Sequence, residues 1–130
     1  MHIELFSLCD AATADIGKLN MLGAFDTIFV PKIPLVYPHC VVAIRIRFQR
    51  DEKGEHIVNV NVVDFDGKRV LPTMSSTINV SFAEDQRSSS LNLIFNIQML
   101  KFETLGEHSV DLTVDGERRA SLPLYIRERK

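Results

Sequence analysis

Residues 106–126 read GEHSVDLTVDGERRASLPLYI. His108, Val110, Leu112 and Val114 alternate with Ser109, Asp111 and Thr113. Period-two alternation gives a strand one apolar face and one polar face. Asp115-Gly116 follows, then a second extended run from Ala120 to Ile126. An Asp-Gly pair tolerates the positive φ values that a tight hairpin turn requires, so the stretch predicts a β-hairpin. Residues 54–71, GEHIVNVNVVDFDGKRVL, repeat the same grammar and predict the same hairpin used a second time.

The rest of the chain extends this pattern. Residues 2–8 read as a first strand, 9–17 as a connection with a turn at Asp15 to Lys18, and 18–30 as a second strand. Gly23 inside that second strand suggests a bulge or bend. Pro31, Pro34 and Pro38 argue against a central strand in PKIPLVYPHC, because proline cannot donate to a ladder. That segment is expected to be an extended loop crossing between sheets. In residues 40–50, Val42, Ile44, Ile46 and Phe48 share the core face, while Ala43, Arg45, Arg47 and Gln49 share the wet face. Residues 91–100 alternate as well, with Leu91, Leu93, Phe95, Ile97 and Met99 facing in and Ile94 the apolar exception on the polar side. The fold expected is all-β, an antiparallel two-sheet β-sandwich of about eight strands, immunoglobulin-like. In such sandwiches a tyrosine often ties the corner before a late strand to the backbone. Here Leu105-Gly106-Glu107 leads to His108 in that place.

Composition narrows the function classes. The chain has 130 residues, which fits a single domain over 1–130. Hydrophobic content of 45% and charged content of 25% are ordinary for a folded protein. A net charge of -2 supplies no concentrated positive field for a phosphate backbone, so nucleic acid is not an expected partner. No window approaches the roughly 18 apolar residues of a membrane span, so no membrane partner is expected. The start, MHIELFSLCDAA, lacks a basic n-region and carries Glu4 and Asp10, which does not match a secretory signal. The expected location is cytoplasmic, with Cys9 and Cys40 as reduced thiols.

Each candidate for chemistry has a simpler structural explanation. Asp64-x-Asp66-Gly67 resembles part of a calcium loop, but Lys68 and Arg69 follow where further carboxylates are needed. His56 and His108 occupy matching places in the two Gly-Glu-His copies, as a pH-sensitive pair or as aromatic shoulders of the core. Arg45 and Arg47, with Arg50 nearby, form either a partner surface or a solvated strand face, and no aromatic residue interleaves them as single-strand binding requires. Asp10, Asp15 and Asp26 could approach one another near the first strand pair and shift each other's pKa. No metal ligand set, phosphate loop or nucleophile elbow is present, so no cofactor is expected.

Some segments also carry a resemblance. FSLCDAAT at 6–13, GKLNMLGAFDTI at 17–28 and P-x-x-P at 31–34 occur in order, followed by RIRF at 45–48, the two GEH runs and the closing PLYI. Together they resemble a family of small bacterial β-rich proteins of unknown function, defined by an LCD element and a GKLNxLGxFDT pattern. That resemblance implies a free-standing bacterial β-domain and brings no activity or site residue with it.

The reading that follows is a protein of unknown function, leaning away from an enzyme and toward a protein-interaction or assembly module whose partner is another protein or itself. Its expected contact surface is Ile33, Leu35, Val36 and Tyr37 among the prolines, with Ile94. The alternative is a small-ligand-binding domain or enzyme using the acids of the N-terminal strand pair.

Overall fold

The computed structural model describes residues 1–129. Nine strands follow in order: β1 (His2–Asp15), β2 (Lys18–Ala24), β3 (Thr27–Val30), β4 (Leu35–Gln49), β5 (Gly54–Val63), β6 (Met74–Val80), β7 (Ser88–Phe102), β8 (Gly106–Val114) and β9 (Glu117–Glu128). A 3-10 turn at Arg50–Glu52 joins β4 to β5. The strands form a four-stranded sheet, β2-β1-β4-β7, and a five-stranded sheet, β3-β9-β8-β5-β6. The fold is therefore all-β and sandwich-like, with nine strands rather than about eight. It is not wholly antiparallel, because β3 pairs with β9 in parallel.

The closing hairpin forms as its sequence predicts. Asp115 and Gly116 both take positive φ, 53° and 83°, and β8 pairs with β9 from Gly106↔Ile126 to Val114↔Glu117. Its expected echo at 54–71 forms its turn at Asp64 to Gly67, but its return strand is interrupted. KRVL is cut off by Pro72, and only an isolated bridge, Val63↔Arg69, joins the two sides. β5 pairs instead with β6 and β8. The Asp64-to-Gly67 turn closes on itself: Asp64 Oδ1 accepts the amides of Asp66 and Lys68 at 3.0 and 2.9 Å. Its carboxylate thus serves its own backbone.

The proline segment also differs from expectation. Residues 31–34 do cross between sheets, but Leu35 already begins β4, and Pro38 lies within that strand. The reason is local. β1 pairs with β4 only as far as Cys9↔Val41, so at Pro38 one side of β4 has no partner strand to receive an amide. Opposite, Met99 adopts a left-handed φ of 56°. Both strands change face there together. Leu100 and Phe102 point inward on one side of the kink and Ile97 on the other, leaving Met99 68% exposed rather than inward.

One apolar cluster fills the space between the sheets. Ile44, Ile46 and Phe48 of β4 meet Val58, Val60 and Val62 of β5 and Val110, Leu112 and Val114 of β8, all fully buried. Such packing makes each side chain costly to truncate. Leu112→Ala is expected to lower unfolding free energy by about 2–5 kcal/mol, read from urea denaturation. A loss under about 1 kcal/mol would mean that this position is not close-packed.

Candidate functional site

The feature that distinguishes this sandwich is an arm built by β1 and β2 beyond the point where β1 leaves β4. Ile16 and Gly17 form its two-residue turn with φ values of 48° and 71°, the handedness that suits strand twist. The register runs from Asp15↔Lys18 to Cys9↔Ala24. Gly23 has φ +71°, and a Cβ added there would meet the Asp10 carboxylate oxygen at 2.5 Å. A residue with a Cβ would have to push the Asp10 side chain aside in a backbone conformation that side-chain-bearing residues rarely adopt. The bend expected at Gly23 is present, and it changes which residues face the sheet. Before it Cys9 points to the outer face of the sheet. Past it Ala12 and Leu19 do, packing with Ile94 over buried Cys9, Val41 and Ala43.

Polar bonds fasten the arm. Arg45 Nη1 donates to the Gly17 carbonyl at the arm's tip and to Asn92 Oδ1, both at 3.1 Å, while Arg45 Nε donates to Glu4 at 2.8 Å. Arg47 donates to the second Glu4 oxygen at 2.6 Å and to Ser88 Oγ at 2.9 Å. The Arg47 bond leads in holding the Glu4 carboxyl below the usual carboxylate range; desolvation opposes it, and the Arg45 bond and the charges of both arginines add to the lowering. Arg50 turns elsewhere, to the carbonyls of Ala83 and Gln86, with its guanidinium 5.9 Å from the Phe82 ring centre. The three arginines therefore do not form one basic surface.

The N-terminal acids do not converge either. Asp10 lies over Gly23, and Asp15 sits beside the arm's turn. Asp26 accepts the Thr27 hydroxyl at 2.8 Å and borders an open depression of about 430 Å³ with Ser7, Leu8, Ala24, Phe25, Leu122 and Pro123. Among the described residues, no three His, Cys, Asp or Glu side chains cluster as a metal cage. Of the expected contact residues, Ile33, Leu35 and Tyr37 are half-buried against the main core, and Val36 is 43% exposed. Ile94 lies half-buried under the arm. Among the most exposed apolar side chains are Ile16 at 89% and Leu22 at 71%, both on the arm, and Phe65 at 83% in the turn after β5. Sequence reasoning passed over them, although Leu19, Met21 and Leu22 already break a two-face alternation.

The two histidines stand at opposite ends of the β5–β8 ladder, which runs from Val58↔Val114 to Val63↔Ser109. His108 is buried edge-on to Phe102, ring centres 5.3 Å apart, and its Nδ1–H donates to the Gly106 carbonyl at 3.1 Å. His56 stacks on Phe48 at 4.9 Å. Its Nε2 faces the Glu52 carbonyl and its Nδ1 faces Asp115 Oδ2, both at 2.6 Å. Both partners are acceptors, so the imidazolium alone satisfies both. The Glu52 carbonyl, then the Asp115 carboxylate, raise the His56 pKa. His56 in turn holds Asp115 below its usual range.

Two predictions follow from these environments. A raised histidine value adds stability in full below its ordinary pKa of about 6.5, and the gain fades as pH climbs through the raised value. Asp115→Asn keeps an acceptor for the Ile57 amide but loses the charge. The melting-temperature gap between the natural chain and Asp115→Asn is therefore expected to be widest near pH 6 and to narrow toward pH 9. A gap that stays constant across that interval would contradict the ion pair. For the cysteines, burial is the leading cause raising both thiols, Cys40 to about 11. Neither should react with a disulfide reagent in the folded protein at pH 8, and both should react in denaturant. Prompt labelling of one thiol in the native state would mean that its cover opens.

No curated protein matches this sequence. Among solved structures the chain is similar to a β-glucosidase from Listeria innocua. The isofagomine complex superposes with a TM-score of 0.54 at 12% identity, over 97% of this chain and 16% of that chain. The glucose complex gives 0.56 with the same identity and coverage. This chain spans about a sixth of that enzyme (16%), and at 12% identity the likeness describes fold alone. A family model covers nearly the whole chain, matching residues 4–127, and the chain belongs to that family, DUF6941, a family of unknown function.

Proposed function

We propose that this chain is a non-enzymatic protein-interaction module, a single immunoglobulin-like domain that acts in the bacterial cytoplasm. The observation that carries the reading is the arm, which presents exposed Ile16 and Leu22 beside β2, the last strand of its sheet. Apolar side chains next to an unpaired strand edge are a recurrent basis for protein recognition. Val36 is the exposed member of the proline segment and extends the contact surface; Ile33, Leu35 and Tyr37 support it from the core side. The tie from His108 to the Gly106 carbonyl stands where the corner tyrosine of immunoglobulin-like sandwiches would act, which favours that finer fold assignment. Two buried free thiols agree with a reducing compartment. Among the described residues, no helix is long and apolar enough to cross a membrane.

The alternative, a small-ligand site, draws on the depression beside Asp26. Its walls carry one carboxylate, and neither Asp10 nor Asp15 lines it. The interaction reading is the stronger because nothing in that depression pairs an acid with a base.

Affinity capture from the source cell tests the proposal. The Ile16→Ser/Leu22→Ser variant replaces only exposed side chains and should melt within a few degrees of the natural chain. Proteins captured by the natural chain are expected to fall at least tenfold with the variant. Equal recovery on both would remove the arm as the contact surface.

A further inference from the structure

We infer that two copies of this chain pair edge to edge through β2, antiparallel about a twofold axis at Asn20. The inference rests on the arm-mediated reading above and names the partner as a second copy.

The turn geometry decides which backbone groups are open. In a two-residue hairpin the flanking residues, here Asp15 and Lys18, form the close hydrogen-bonded pair. Alternation then aims the N–H and C=O groups of Lys18, Asn20 and Leu22 at β1. Those of Leu19 and Met21 point to the side where the sheet ends. Natural edges are guarded by proline, by charge or by a kink. From Leu19 to Leu22 this edge has none of these. β7, at the other end of the same sheet, is broken by the left-handed Met99; in the second sheet β3 has only four residues, and the exposed side chains of the β6 edge are the polar Ser75, Thr77 and Asn79.

The open edge is self-complementary. An antiparallel match centred on Asn20 sets Leu19 opposite Met21 of the second copy and Met21 opposite its Leu19. Four backbone hydrogen bonds result. On the solvent face, Leu22 meets Lys18 of the second copy, whose aliphatic stem can cover it. One residue further along lies Gly23, with the Asp10 carboxylate over it. The product is a four-stranded ribbon, β1-β2 of one copy joined to β2-β1 of the other, which each β1 links to the β4-β7 part of its own sheet.

Sedimentation and site-directed cross-linking test this on the full chain. The natural chain is expected to sediment as a dimer at high micromolar concentration. Met21→Pro removes an N–H that β1 does not use and should raise the dissociation constant at least tenfold. Lys18→Glu should weaken the dimer as well. Asn20→Cys places two thiols directly across the axis, at the separation of a cross-strand non-hydrogen-bonded pair, and should form an intermolecular disulfide under mild oxidation. Cys9 and Cys40 are buried and add no background. If Met21→Pro fails to fold, the other two variants still decide. A dimer that Asn20→Cys does not cross-link would place the contact elsewhere and overturn the inference. A monomer at all concentrations would also overturn it, while arm-dependent capture of a different protein would leave the interaction reading standing. A monomer whose captured proteins ignore the arm would remove both.

Discussion

A strand that is apolar on both faces needs two covers, and β4 is that strand. From Cys40 to Ile44 every side chain is buried. Cys40, Val42 and Ile44 face the second sheet, while Val41 and Ala43 face away from it. The second sheet can dry only one of these faces. The arm dries the other, and the kink at Asp10 and Gly23 lets it do so. A bound that small, one missing Cβ, fixes where the arm bends and therefore where its tip lands.

The tip lands on Arg45. That guanidinium joins four parts of the molecule: Glu4 on β1, the Gly17 turn, its own strand and Asn92 on β7. Exposed ion pairs contribute little one by one. Here the pairs are half-buried and share one node, so their value is geometric. They hold the arm in one place over the sheet. The same network engages Arg45 and Arg47, whose donors are directed at Glu4, Gly17, Asn92 and Ser88 and not at an outside acidic group. What remains available on this side is the arm's own surface, apolar at Ile16 and Leu22 and open along one edge.

Much of the fold was legible from short-range pattern. The closing hairpin was readable because Asp115-Gly116 fixes its turn, although a bulge at Leu112 and Thr113 shifts the register beyond it. The sheet crossing at the prolines and the bend at Gly23 were readable for the same local reason. The misreadings share a cause: they depended on what lies opposite. Pro38 is tolerated inside β4 only because β1 has departed by then. Met99 faces out because it kinks together with Pro38, and no single-strand alternation contains that coupling. The return strand of the 54–71 hairpin stops after one bridge because Pro72 interrupts it, and pairing on the same edge of β5 resumes at Val60↔Met74. The family membership was visible in GKLNMLGAFDTI, a run that holds the arm's second strand and the crossing into β3. Which of its side chains cover Val41 and Ala43 and which face solvent was hidden, because the two sets alternate only after the bend is known.

The account depends on the arm lying against β4 in solution. Nuclear Overhauser contacts between methyl groups measure this directly. The Leu19 methyls should show cross-peaks to Val41 and Ala43, across the outer face of the sheet. Leu19 methyls with cross-peaks only within β1 and β2 would contradict the account, because the outer face of β4 would then have lost its cover.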